Sequence, residues 1–151
     1  MFILKNKKMT ALICGALMAV SSMAFATVRS DQVVLGDLQP GMRVSKIKEI
    51  YGEPLSVVGD KWNYKGFYIE VNNRASRAEE IVTEDSGFAT SEGIIVGMSE
   101  DALNKAYGKA DKIDVDSYDK EYTYYSSDYK YKMEFKVVNG IIRKIKCEEN
   151  D

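Results

Sequence analysis

The chain contains no histidine, and that absence decides much of the chemistry open to it. Histidine is the commonest general base and the commonest metal ligand. Ser-His-Asp catalysis, Cys-His catalysis and ordinary zinc sites are therefore excluded. Carboxylates, lysines and aromatic side chains are left. Asp111-Lys112-Ile113-Asp114-Val115-Asp116-Ser117-Tyr118-Asp119 gathers four carboxylates in a short span. Oxygen ligands of this kind suit calcium, but the glycine turn and distal bidentate glutamate of an EF-hand loop are missing. The segment reads as a solvated loop. No glycine-rich phosphate loop, nucleophile elbow or spaced Asp/Glu pair appears. The expectation is a chain without catalytic residues, metal ligands or cofactor.

The remaining candidates bind rather than catalyse. In Tyr129 to Val137, odd positions are aromatic or apolar and most even positions are charged. That is the period-two alternation of a strand with one buried face. Tyr129, Tyr131, Met133, Phe135 and Val137 should then face the core. Lys130, Lys132 and Lys136 point the other way, and Lys144 and Lys146 of the following segment can join them. Such a stripe suits an acidic partner or anionic head groups; lysines on a solvated sheet face, discouraging edge pairing, explain it as well. Tyrosines are dense between Tyr118 and Tyr131. Because a strand alternates faces, Tyr122 and Tyr124 cannot share a side with Tyr125. An exposed placement is favoured for the Tyr122/Tyr124 pair, where tyrosine supplies contact area at low entropic cost. Trp62 and Tyr64 are their counterparts earlier in the chain, with core packing the alternative. The candidate partner-binding set is Trp62, Tyr64, Tyr122, Tyr124, Lys130, Lys132 and Lys136.

These residues are positioned by a pattern written twice. Gly41-Met42 opens a segment that Tyr51-Gly52 closes; Gly97-Met98 and Tyr107-Gly108 do the same 56 residues later. Self-similarity at fixed spacing reads as a duplicated unit. Each copy predicts a two-turn helix. Ser99 is a good N-cap, with Glu100 and Asp101 in the first turn, where the helix dipole favours acids. Met98 and Leu103 have the spacing of a hydrophobic staple, as do Met42 and Ile47. Arg43 cannot cap as Ser99 does. Gly52 and Gly108 stand where a left-handed residue ends a helix.

Strands follow each helix. Lys61 to Tyr64, Phe67 to Val71 and Glu79 to Glu84 form the first set. Glu121 to Tyr125, the Tyr129 to Val137 strand and Ile141 to Cys147 form the second, with Asn139-Gly140 as a type I′ hairpin turn. The expected fold class is α+β: two tandem repeats, each a short helix followed by a three-stranded antiparallel meander, with the helices on one sheet face. Unit one covers 27–84, a linker 85–93, and unit two 94–151. A sheet shared by both units is preferred, since three strands and one short helix bury little alone.

The N-terminus reads as an export signal. Lys5, Lys7 and Lys8 precede an uncharged apolar run from Met9 to Val20, and Ala24-Phe25-Ala26 offers the small residues of a cleavage site at Ala24 and Ala26. A lipid anchor at Cys14 fits less well, because Ile13 stands where a small residue is wanted. Residues 1–26 take three of the 21 basic residues and none of the 23 acids, so the remainder carries a net charge of about −5. A mildly acidic domain is a poor general nucleic-acid binder. Cys147 is then the sole cysteine, so no internal disulfide forms; burial as a small hydrophobe is its favoured role.

The Gly-Met, helix, Tyr-Gly pattern resembles the SmpA/OmlA-like family, carried by Gly41-Met42, Tyr51-Gly52-Glu53-Pro54, Gly97-Met98 and Tyr107-Gly108-Lys109-Ala110. That family includes the small lipoprotein of the outer-membrane β-barrel assembly machinery, and the tandem form resembles the β-lactamase inhibitor protein fold. The resemblance implies an extracytoplasmic, periplasmic or secreted, non-enzymatic binding module that grips another envelope or extracellular protein through an open sheet face. A small-ligand binder, for glycan or lipid, is the alternative.

Overall fold

A computed structural model describes residues 27–150. Helix α1 (Val44–Tyr51) and helix α2 (Glu100–Tyr107) are eight residues each. Two turns are unstable in isolation, so each helix depends on the stripe it buries: Val44 and Ile47 on α1, Leu103 and Tyr107 on α2. The Ser99 hydroxyl accepts a hydrogen bond from the Ala102 amide at 3.1 Å and caps α2. Arg43 caps α1 with its backbone alone. Gly52 and Gly108 have φ of 80° and 66°, but ψ of −163° and −147°. The chain therefore leaves each helix extended, not through the left-handed helical cap that the sequence suggests.

The strands are β1 (Ser56–Val58), β2 (Lys61–Asn63), β3 (Phe67–Asn72), β4 (Arg77–Thr83), β5 (Lys112–Asp116), β6 (Asp119–Tyr125), β7 (Tyr131–Val138) and β8 (Ile141–Glu149). They form one sheet in the order β1-β2-β3-β4-β8-β7-β6-β5, with every neighbouring pair antiparallel. The centre is the β4–β8 pair, in register from Glu80 opposite Glu148 to Thr83 opposite Ile145.

This corrects the expected fold class. The described residues are not a tandem α+β fold of two helix-plus-three-strand units; they are mostly a single eight-stranded antiparallel sheet with two short α-helices and one 3-10 turn, Ser30–Gln32. Two strands were missed. Ser56–Val58 is too short for alternation to show, and Lys112–Asp116, expected as a solvated loop, contains two aspartates, a residue type depleted in strands. Both are the outermost strands, exposed along their length; Lys112–Asp116 does alternate apolar and charged residues, but its aspartates read as loop. The predicted strand from Tyr129 also starts two residues late: Tyr129 has φ of 57° and sits exposed in the turn before β7.

One core runs across the molecule. Ile47, Leu103 and Tyr107 of the helices pack with Ile69, Ile81, Phe135 and Ile145 of the sheet, and Val33, Leu35 and Leu38 close the same cluster. Gly41 and Gly97 tie the helix entries to the sheet. The Gly41 amide donates to the Ala78 carbonyl at 2.7 Å, and the Ala78 amide donates to Met42 at 3.0 Å. The Gly97 amide donates to Ile142 at 2.8 Å, and the Ile142 amide donates to Met98 at 2.9 Å. At the other end of each helix, Tyr51 packs edge-on to Phe67, and Tyr107 against Tyr124 and Phe135. Cys147 is fully buried in β8, where burial pushes its thiol pKa up. The segment read as an export signal, with Ala24 and Ala26, lies outside the described residues. Among the described residues no helix is long and apolar enough to cross a membrane.

Candidate functional site: the open face of the sheet

Alternation along the central strands sorts side chains to two faces. Ile69, Ile81, Ile145 and Phe135 join the helix-covered core. Their neighbours Tyr68, Glu80, Val82, Lys144, Lys146, Glu134 and Lys136 point the opposite way. Val82 is fully buried yet is not part of the core cluster; Tyr68 and Lys146 stand opposite it on the neighbouring strands.

The middle of this face is an ion-pair network. Lys146 Nζ lies 2.5 Å from Glu134, 3.2 Å from Glu148 and 3.8 Å from Glu80. Lys132 Nζ lies 2.6 Å from Glu148 and 3.2 Å from Glu134. Three carboxylates thus share two ammonium groups. Glu80 and Glu148 stand directly opposite on β4 and β8. Burial, then a hydrogen bond with Glu148, pushes the Glu80 pKa up to about 7. Glu148 is also raised by burial, but hydrogen bonding from Lys132 helps carry it below the ordinary glutamate value.

Two hollows lie on this face. One, of about 390 Å³, is lined by Lys61, Asn63, Tyr68, Val82, Glu84 and Asp85, among others; the Lys61 ammonium sits 3.4 Å from the Tyr68 ring centroid, a cation–π contact. The other, of about 400 Å³, is lined by Glu84, Val96, Lys136, Arg143 and Lys144.

The structure separates the residues expected to form one binding set. Lys132 and Lys136 do lie on the open face, but paired: Lys132 is in the network and Lys136 meets Asp119 at 2.8 Å. Lys130 is in the turn before β7, 3.8 Å from Asp128. The aromatic members lie elsewhere, which corrects the expected exposure of Tyr122 and Tyr124. Both are buried beneath the helix side. The Tyr122 hydroxyl bonds Glu100, and the Tyr124 hydroxyl donates to the Gly108 carbonyl at 3.2 Å. Tyr64 is buried in a stack on Phe67 with centroids 4.7 Å apart, its hydroxyl without a hydrogen-bond partner. Trp62 is half-buried, packed against the core with Lys48 5.0 Å over its ring. Tyr68 and Tyr125 are aromatics on the open face that the candidate set lacked, Tyr125 opposite Lys132, although the alternation of Phe67, Ile69 and Val71 already assigned Tyr68 there. Glu80 and Glu148 were missed because nothing in the sequence pairs β4 with β8. Among the described residues no group of three or more His, Cys, Asp or Glu could hold a metal ion.

No family model and no curated protein matches the chain. Among solved structures it is similar to a DUF4309 family protein, YjgB, of Bacillus subtilis, with a TM-score of 0.55 and 14% identity over 71% of this chain and 78% of that one. It is also similar to an extracellular protein containing an SCP domain from Bacillus anthracis, with a TM-score of 0.50 and 8% identity. That match covers 98% of this chain but 50% of the other. At these identities the likeness is one of fold, and the chain shares its sheet architecture with proteins of Bacillus.

Proposed function

We propose that this chain is an exported, non-enzymatic binding module that holds another protein against the open face of its sheet. The observation that carries the reading is Val82: a fully buried apolar residue on the side away from the helices, between Tyr68 and Lys146 on the neighbouring strands and in a hollow with Lys61 and Glu84. A face of this kind presents fixed charges, which confer specificity more than raw affinity. Histidine is absent, and Glu80, the carboxyl whose pKa is pushed up to about 7, is engaged by Lys146 and Glu148 within the network. Export is supported by the charge, apolar run and Ala-x-Ala order of the first 26 residues, and by fold likeness to a protein described as extracellular.

The test is capture from a cell-envelope extract with the immobilised protein, repeated with Tyr68→Ala combined with Lys61→Ala. The expected result is a discrete partner bound by the wild type and lost by the double variant, with unchanged circular dichroism. Capture that is undiminished in the variant overturns the assignment to this face. Thermal stabilisation by wall glycans or lipids, with no protein partner, would replace the reading by a small-ligand one.

A further inference from the structure

We propose that the hollow formed by Lys136, Arg143 and Lys144 receives an acidic segment of the partner protein; this rests on the protein-binding reading above and specifies the partner's chemistry.

A bulge builds the hollow. Along the β7–β8 ladder Lys136 opposes Lys144, but Val137 opposes Ile142, which leaves Arg143 as the extra residue on β8. Bulges re-aim side chains and recur beside functional sites. Here the bulge brings a guanidinium to the same hollow of about 400 Å³ as two lysines. Those lysines are direct cross-strand neighbours, an arrangement that destabilises a sheet when the charges are alike.

Compensation within the chain is uneven. Lys136 is well compensated, paired with Asp119 and opposite Glu121 on β6. Lys144 meets Glu84 at 3.5 Å, and that side chain is 67% exposed. Arg143 is exposed and forms no ion pair among the described residues. One strand-length away, Lys132 and Lys146 are enclosed by three carboxylates. The same two strands thus carry an acid-rich, closed network at one end and a cation-rich, open hollow at the other. Guanidinium takes carboxylate through a planar two-bond fork, and clusters of this kind recognise acidic motifs. An incoming carboxylate would pair with Arg143 and replace the loosely held Glu84 at Lys144.

The experiment titrates the purified full chain with a fluorescent hexaglutamate peptide at low and high ionic strength. Wild type should bind at low salt and release at high salt. Arg143→Gln should weaken binding about tenfold, the loss expected for one charge-assisted pair. Lys105→Gln, a lysine on α2 outside the hollow, should bind as wild type, and thermal melts of all three proteins check folding. No peptide binding at low salt, or equal binding by Arg143→Gln and Lys105→Gln, overturns the proposal. So does tighter binding of inorganic phosphate or phosphatidylglycerol vesicles than of the peptide. Envelope capture separates the two readings. A partner retained by Arg143→Gln overturns the hollow and leaves the protein-binding reading standing. Peptide binding that Arg143→Gln loses, with no partner captured by either protein, supports the hollow and counts against that reading.

Discussion

Glu80 is the residue at which the charge balance of the open face is tightest. It faces Glu148 directly, with Lys146 beside both and Glu70 nearby. An unfolded glutamate ionises near 4.5, whereas Glu80 in the fold keeps its proton to about pH 7. The native state therefore binds this proton more tightly than the unfolded one. Its contribution to stability is fully present below pH 4.5 and is lost as pH rises through 7. Glu148 runs the other way: its lowered pKa contributes above the ordinary glutamate value and is lost on acidification. Glu80→Gln removes the ionisation and keeps a hydrogen-bond donor for Glu148. It should stabilise the protein by about 1 kcal/mol at pH 8, with the gain shrinking at pH 5. Urea unfolding at the two pH values measures this; no gain at pH 8 would mean that the two carboxylates do not oppose one another.

The two helices offer an internal comparison at the scale of the element. Both are eight residues long and start in the extended backbone that an N-cap requires, with φ and ψ of −64° and 137° at Arg43 and −76° and 156° at Ser99. One start has a side-chain cap and the other lacks it. Ser99→Ala should cost about 1 kcal/mol, and Arg43→Ser should gain about 0.5–1 kcal/mol by supplying the missing acceptor. Thermal denaturation of both variants checks the pair; a loss from Arg43→Ser would show that the arginine side chain holds α1 by another contact. Much at this scale was legible. The Gly-Met and Tyr-Gly spacing marked both helices, and Asn139-Gly140, at φ of 51° and 75°, forms the predicted turn between β7 and β8. What resisted reading was β1, too short to show a period, and β5, whose alternation of Ile113 and Val115 is shared with aspartates that strands disfavour.

At the scale of the molecule those two edges are its exposed backbone. Unpaired strand edges template association unless guarded. On β5, Ile113 and Val115 are 47% and 71% exposed, and Asp114 and Asp116 alternate with them. A second copy aligned there would bring like charges together. Asp114→Thr combined with Asp116→Thr should therefore produce concentration-dependent association, visible as a larger light-scattering mass than that of the wild type. Equal masses at high concentration would mean that the aspartates are not what guards this edge.

The composition and order of residues determined, without coordinates, that histidine is absent, where the helices and the β7–β8 hairpin lie, and which side chains alternate. Those are properties of neighbours in the chain, set by dihedral preference, capping and period. The tertiary structure decided what each alternating face meets. Tyr122 and Tyr124 carry the same pattern whether exposed or covered; α2 covers them, and Glu100 reaches the Tyr122 hydroxyl. The joining of β4 to β8 likewise set Glu80 against Glu148 and turned two sets of strands into one sheet. Period two says which residues share a side, and only long-range packing says which side is buried.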